Sequence, residues 1–177
     1  MSVKIRHAIF EDVAALERLI EASVRALSQG YYSPPQIESS LKYVFGVDTQ
    51  LVADGTYFVV EADGQLAGCG GWSKRKNLYG GDKVKTEADN LLDPKTEPSR
   101  IRAFFVHPDF ARRGIGRLLL ETCEEAARQA GFTSLELAAT MPGEPLYAAC
   151  GFHVIERLEA ELPDGVNVPI ARMGKTI

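Results

Sequence analysis

No window of the sequence holds the ~18 or more consecutive apolar residues of a membrane span, and no apolar run follows a basic stretch near its start. A membrane anchor and a secretory leader are therefore not expected, and a cytoplasmic protein is. Runs of basic residues with interleaved aromatics are missing too, and the formal net charge of -4 works against a partner held by bulk positive charge, so no nucleic acid is expected. Cysteine is scarce. Cys69, Cys123 and Cys150 lie in apolar surroundings without paired or metal-ligand spacing, which reads as free packing thiols in a reducing compartment and gives no metal site. No internal repeat is evident.

What is present suits one soluble domain over residues 1–177: 45% hydrophobic residues can bury a substantial core, and 25% charged residues are ordinary for a globular chain. Residues 3–7 alternate as a short strand, and Val13, Leu16, Ile20, Val24 and Leu27 mark one face of a helix over about 11–28. After Gln29-Gly-Tyr-Tyr32, the run Ser33-Pro-Pro-Gln36 supplies an N-cap serine, an early proline and a capping-box glutamine, predicting a second helix to about Phe45. Strands over 56–61 and 65–72 are joined at Asp63-Gly64, a two-residue hairpin signal. Residues 135–139 read as a further strand, and 152–162 with 166–173 as a last hairpin turned at Pro163-Asp164-Gly165.

The most informative stretch is Arg100 to Gly116. Ile101, Ala103, Phe104, Phe105 and Val106 form an apolar strand stopped at His107-Pro108. Beyond it, Ile115, Leu118, Leu119, Thr122, Cys123, Ala126 and Ala130 recur at helical spacing, with Gly131 placed for a left-handed cap. The first amides of such a helix lack internal partners and carry the positive end of its dipole, which makes an anion site. Gly114 and Gly116 let the backbone approach an anion, while Arg112, Arg113 and Arg117 add charge and forked donors, a chemical match to a pyrophosphate. An Arg-rich loop whose glycines serve only tight packing is the alternative these residues leave open. A P-loop would need Gly-Lys-Ser/Thr, and a dinucleotide fingerprint a third glycine where Leu119 stands, so neither ATP nor NAD is supported.

The arrangement resembles the GNAT superfamily of acetyl-CoA-dependent N-acetyltransferases. Ala111, Arg112, Arg113, Gly114, Ile115 and Gly116 occupy the six positions of that family's pyrophosphate loop, Ala111 departing from the usual Gln or Arg. Tyr147-Ala-Ala-Cys-Gly151-Phe152 is similar to its Tyr-x-x-x-Gly-Phe segment. The resemblance covers nearly the whole chain. It implies an α/β (α+β) domain with a mixed, mostly antiparallel sheet of about six to seven strands flanked by helices. It also implies acetyl-CoA as co-substrate, no metal, and a small-molecule or peptide amine as acceptor, with a possible homodimer through the terminal hairpins. Phe105 and Val106 would then hold the pantetheine arm as an added strand, and Thr140 stands where the family commonly has Asn for the same arm. Tyr147 takes the position of the general acid that protonates the leaving thiolate; an aromatic that only closes its helix against the core is the alternative.

An amine must lose its proton before it attacks a thioester, yet an alkyl ammonium has a pKa of about 10, so a base or a desolvating pocket is required. Glu61, Asp82, Asp89 and His107 are the base candidates, and Tyr32, Glu61, Trp72, Tyr79 and Asp82 the candidate acceptor contacts. The polar stretch 73–99, which mixes Lys74, Arg75, Lys76, Lys83 and Lys85 with Asp82, Glu87, Asp89, Asp93 and Glu97, reads as either a lid or a solvated loop. Three functional classes follow: an N-acetyltransferase working by direct attack in a ternary complex, a non-catalytic acetyl-CoA sensor of the same fold, and another nucleotide binder using the Arg-Arg-Gly loop. No cysteine sits in a nucleophile's setting, so an acyl-enzyme is not expected.

Overall fold

The computed structural model describes residues 1–84 and 88–177. In chain order the elements are β1 Val3–His7, α1 Val13–Leu27, α2 Pro34–Tyr43, α3 Thr49–Asp54, β2 Tyr57–Ala62, β3 Gln65–Ser73, β4 Ser99–Val106, α4 Ile115–Gln129, β5 Ser134–Thr140, α5 Glu144–Ala149, β6 His153–Glu161 and β7 Asn167–Thr176. The strands form one sheet in the order β1-β2-β3-β4-β5-β7-β6. Every neighbouring pair is antiparallel except β4 with β5, which gives the mixed, mostly antiparallel sheet expected.

Helices cover both faces of the sheet. On one, Ile115, Leu119, Leu120 and Cys123 of α4 pack against Val60, Ile101, Leu135 and Leu137. On the other, Leu16, Leu19, Ile20 and Val24 of α1 pack against Tyr57, Val59 and Cys69. Strand β2 thus sends alternate side chains into two cores, which is why its sequence is apolar throughout rather than alternating. Each such fully buried Leu or Ile contributes roughly 1.5–3 kcal/mol of apolar burial.

Local chemistry sets the helix ends. The Ser33 hydroxyl accepts from the Gln36 amide at 3.3 Å while the Gln36 side chain accepts from the Ser33 amide at 2.9 Å, closing the capping box read in the sequence. Helix α1 starts later than its periodicity suggests, because residues 10–12 form a 3-10 turn in which Asp12 accepts from the Ile9 amide at 2.8 Å. Helix α3 has no counterpart in the sequence reading; Asp48 caps it and Gly55 ends it.

Two features of β4 position the site. Its pairing to β5 ends after Ser99–Leu135 and Arg100–Glu136, whereas β5 stays paired to β7 from Ser134 to Thr140. The remainder of β4 diverges from β5 and leaves an open strand edge. A bulge marks the divergence: the register to β3 shifts between Cys69 and Gly71, and Ala103 has a φ of 55°. The Tyr57 hydroxyl donates to the Ala103 carbonyl at 2.9 Å, and the Phe104 ring fills the space a side chain at Gly70 would need, 2.5 Å from its Cβ position.

The stretch read as a lid or a solvated loop is tied down in its described parts. Lys76 and Leu92 donate their amides to the carbonyls of Asn90 and Lys74, and Leu92 is buried in the core beside Trp72. Arg75 donates to Asp54 at 2.7 Å, and Asp89 accepts from the Asn77 amide at 2.8 Å. At its base Arg102 is fully buried between Asp48 at 3.0 Å and Asp89 at 2.6 Å, with a further bond to the Ser73 hydroxyl at 2.8 Å. Lys85 and Glu87, two charges read in this stretch, lie outside the described residues.

Candidate functional site

Where β4 and β5 part, a cleft of about 730 Å³ runs from the N-terminus of α4 to the β6–β7 hairpin. At its first end stands the Arg-rich loop. Arg112 and Gly114 hold φ of 63° and 85°, turning the chain into α4, and the first amide to bond back is Leu118, to the Gly114 carbonyl at 3.0 Å. The amides of the preceding turn are the orphan donors of the helix, with its positive dipole end behind them. Arg112, Gly114, Ile115, Gly116 and Arg117 line the cleft. Arg113 does not; its guanidinium lies over the Phe110 ring at 5.7 Å. Gly116 also serves packing, since a Cβ there would come 2.8 Å from Leu146 of α5.

The middle of the cleft is bounded by the free edge of β4, including Phe105 and Val106, and by the end of β5. Thr140 lines it, its carbonyl and hydroxyl oxygens both accepting from the Gly143 amide in the turn that starts α5. Across from Phe104, Tyr147 projects from α5 with its ring against Phe104 and Phe152, centroids 6.4 and 5.8 Å away. Only 8% of the residue is exposed, and its hydroxyl makes no hydrogen bond among the described residues. Burial, reinforced by the Cys123 and Cys150 thiols, holds its pKa well above the usual tyrosine value, so the hydroxyl keeps its proton.

Residues 17–152 match the acetyltransferase (GNAT) family. The chain belongs to that family. Solved structures agree on the fold. A GCN5-related N-acetyltransferase of Rhodopseudomonas palustris superposes with a TM-score of 0.74 at 21% identity, covering 100% of this chain and 97% of that one. The PaiA N-acetyltransferase of Thermoplasma acidophilum, solved with coenzyme A, gives 0.66 at 17% identity over 100% of both chains. YncA of Salmonella typhimurium, solved with acetyl-CoA, gives 0.64 at 16% identity over 99% of this chain and 94% of that one. No curated protein matches in sequence.

Placed on this GNAT framework, the acceptor-side candidates scatter. Tyr79 lines the cleft. Tyr32 is buried outside it, its hydroxyl donating to the Pro169 carbonyl at 2.6 Å and accepting from the Met141 amide at 2.9 Å. Glu61 is paired with Arg6 at 3.0 Å between β1 and β2. Trp72 is a core residue packed edge-on against Phe132. Asp82 is occupied by the Thr49 amide and hydroxyl at 3.0 and 2.7 Å, and Asp89 by Arg102. His107 accepts from the Asp109 amide at 3.2 Å in the turn before the loop. None of these last six lines the cleft.

The sequence reading named Tyr79 and passed over the rest of the wall. Val24, Leu27, Tyr31, Val44, Phe45 and Leu162 line the cleft away from the Arg-rich loop, joined by Tyr79 and the hairpin residues Val168 and Ile170. Among the described residues lining the cleft there is no Asp, Glu, His or Lys. Helical periodicity had already marked Val24 and Leu27 as an inward face, but nothing local separates a face that meets a sheet from one that meets a cavity.

Proposed function

We propose that the protein is an N-acetyltransferase that moves the acetyl group of acetyl-CoA to a primary amine by direct attack in a ternary complex. The observation that carries this reading is the protonated, unpartnered Tyr147 hydroxyl in a cleft that has an anion-binding helix N-terminus at one end and a free strand edge beside it. The residues present suit acetyl-CoA, which supplies an acyl thioester. The amides of the turn at Gly114 to Gly116, with Arg112 and Arg117, would bind the pyrophosphate. The open edge at Phe105 and Val106 would take the pantetheine as an added strand and offer an amide to the developing oxyanion.

The chemistry is balanced by one proton. The neutral amine nitrogen attacks the carbonyl carbon, the carbon–sulfur bond breaks, Tyr147 donates its proton to the departing sulfur, and the proton shed by the nitrogen restores the phenol through water. Cys69 and Cys123 are buried with thiol pKa values raised by desolvation, that of Cys69 to about 12, so neither is an activated nucleophile.

Thiol release from acetyl-CoA in the presence of an amine panel tests the proposal, with Tyr147→Phe as control. The variant should bind acetyl-CoA as wild type does and lose about 10²–10⁴-fold in kcat. Equal turnover by both proteins would remove Tyr147 from the reaction. Binding without turnover of any amine would favour an acetyl-CoA sensor, a reading supported by the lack of a carboxylate among the described residues that line the cleft.

A further inference from the structure

Resting on the transferase reading, the acceptor end of the cleft has a chemistry of its own. Its walls are the apolar side chains of α1, the end of α2 and the β6–β7 hairpin, and the polar groups among them are neutral. Ser23, Ser28 and Ser40 line the cleft while only 4%, 5% and 2% exposed, and their hydroxyls make no hydrogen bond among the described residues. Among the described residues the one sealed-in side-chain polar atom without a partner is Arg102 Nε, so these three hydroxyl oxygens are open to the cavity they border. Unbonded and facing one cleft, they mark where a ligand's neutral polar atoms belong.

Charge decides the rest. Arg102 is the cationic group on the inner wall, and it is already paired with Asp48 and Asp89, neither of which lines the cleft; Arg112 and Arg117 stand at the loop, where the pyrophosphate is expected. A second ammonium on the acceptor would find no carboxylate among the described lining residues, and an acceptor carboxylate no unpaired cation at that end. Burying either charge unpaired costs several kcal/mol. The same lining desolvates the reacting amine, favouring its neutral, nucleophilic form.

We propose that the acceptor is a small primary monoamine on an apolar or aromatic body, carrying neither a second cationic nitrogen nor a carboxylate. The amino group is received by the serine hydroxyls and the body by Val24, Leu27, Val44, Phe45 and Leu162.

Three probes of related size separate the possibilities: 2-phenylethylamine, phenylalanine, which adds a carboxylate, and 1,4-diaminobutane, which replaces the ring with a second ammonium. Initial rates of thiol release should give a kcat/KM for phenylethylamine roughly 100-fold or more above both others, as unpaired buried charge requires. Tyr31→Asp places a carboxylate at the cleft wall on a residue that is 49% exposed and so tolerant of change. It should narrow the gap to the diamine at least ten-fold, chiefly through KM. Comparable or preferred turnover of the diamine or the amino acid by wild type overturns the proposal, as does turnover of none of the three. Acetyl-CoA titrated alone by calorimetry keeps the two readings apart: retained binding beside such a result condemns the acceptor class only, whereas no binding condemns the transferase reading beneath it.

Discussion

Tyr147 stands where packing and chemistry can be separated by one atom. Its ring fills space between Phe104 and Phe152, and its hydroxyl bonds to nothing described, so Tyr147→Phe should leave the urea midpoint within the equivalent of about 0.5 kcal/mol. Its raised pKa carries a pH prediction with a definite sign: the acid form persists beyond the ordinary value of about 10, so kcat should show no descending limb below that pH. A pH–rate profile with a fall between 7 and ~10 would point to another donor. Gly114 offers a second residue-scale test. A Cβ there meets nothing within 4 Å, yet φ is 85°, so Gly114→Ala strains the backbone by ~1–2 kcal/mol without filling the loop. Acetyl-CoA affinity, read by calorimetry, should fall by about the same energy, roughly 5–30-fold. These residues were legible because Tyr-x-x-x-Gly-Phe and Arg-Arg-Gly-Ile-Gly are local signals. Tyr32 was read as an acceptor contact where the structure puts Tyr31 on the cleft, since what commits Tyr32 to structure is the Pro169 carbonyl, 137 residues along the chain.

Among the elements, β4 does most to make the site, and least of that was legible. Its apolar run announces a strand and its His-Pro announces a stop, but the bulge at Ala103 depends on the Tyr57 hydroxyl and the empty face of Gly70, which belong to other strands. The capping box of α2 and the Asp63-Gly64 turn were plain because their partners are two or three residues away. Helix α3 spans only six residues and carries too little periodicity to read. Arg102 ties these parts together, joining β4 to the cap of α3 through Asp48 and to the 74–98 connection through Asp89. Arg102→Leu removes the cation from two buried carboxylates, which keep their bonds from the Leu51 and Asn77 amides, and should cost about 3–5 kcal/mol in urea denaturation. A loss below ~1 kcal/mol would show that the triad is solvated in solution.

At the scale of the molecule, acid should unfold the protein through its arginine-held carboxylates. Hydrogen bonds from Arg6 and Arg75 hold Asp12 and Asp54 below the usual carboxylate range. A depressed folded-state pKa contributes stability that is fully present above the unfolded value of about 3.9 and is lost as pH falls through the folded value. The urea midpoint should therefore change little on this account between pH 7 and ~5 and drop below pH ~4, and Asp54→Asn should shallow that drop while costing about 1–2 kcal/mol at pH 7. The family and sheet architecture were readable from two short motifs in order, whereas the acceptor wall was not, because α1, α2 and the β6–β7 hairpin meet only in three dimensions. The most direct test of the whole account is calorimetric titration of the wild-type protein with acetyl-CoA, ATP and NAD. Saturable acetyl-CoA binding at least about ten-fold tighter than either nucleotide is the predicted result, because the pantetheine contacts proposed for the β4 edge are ones that ATP and NAD could not make. Equal affinity for all three, or none for acetyl-CoA, would contradict it.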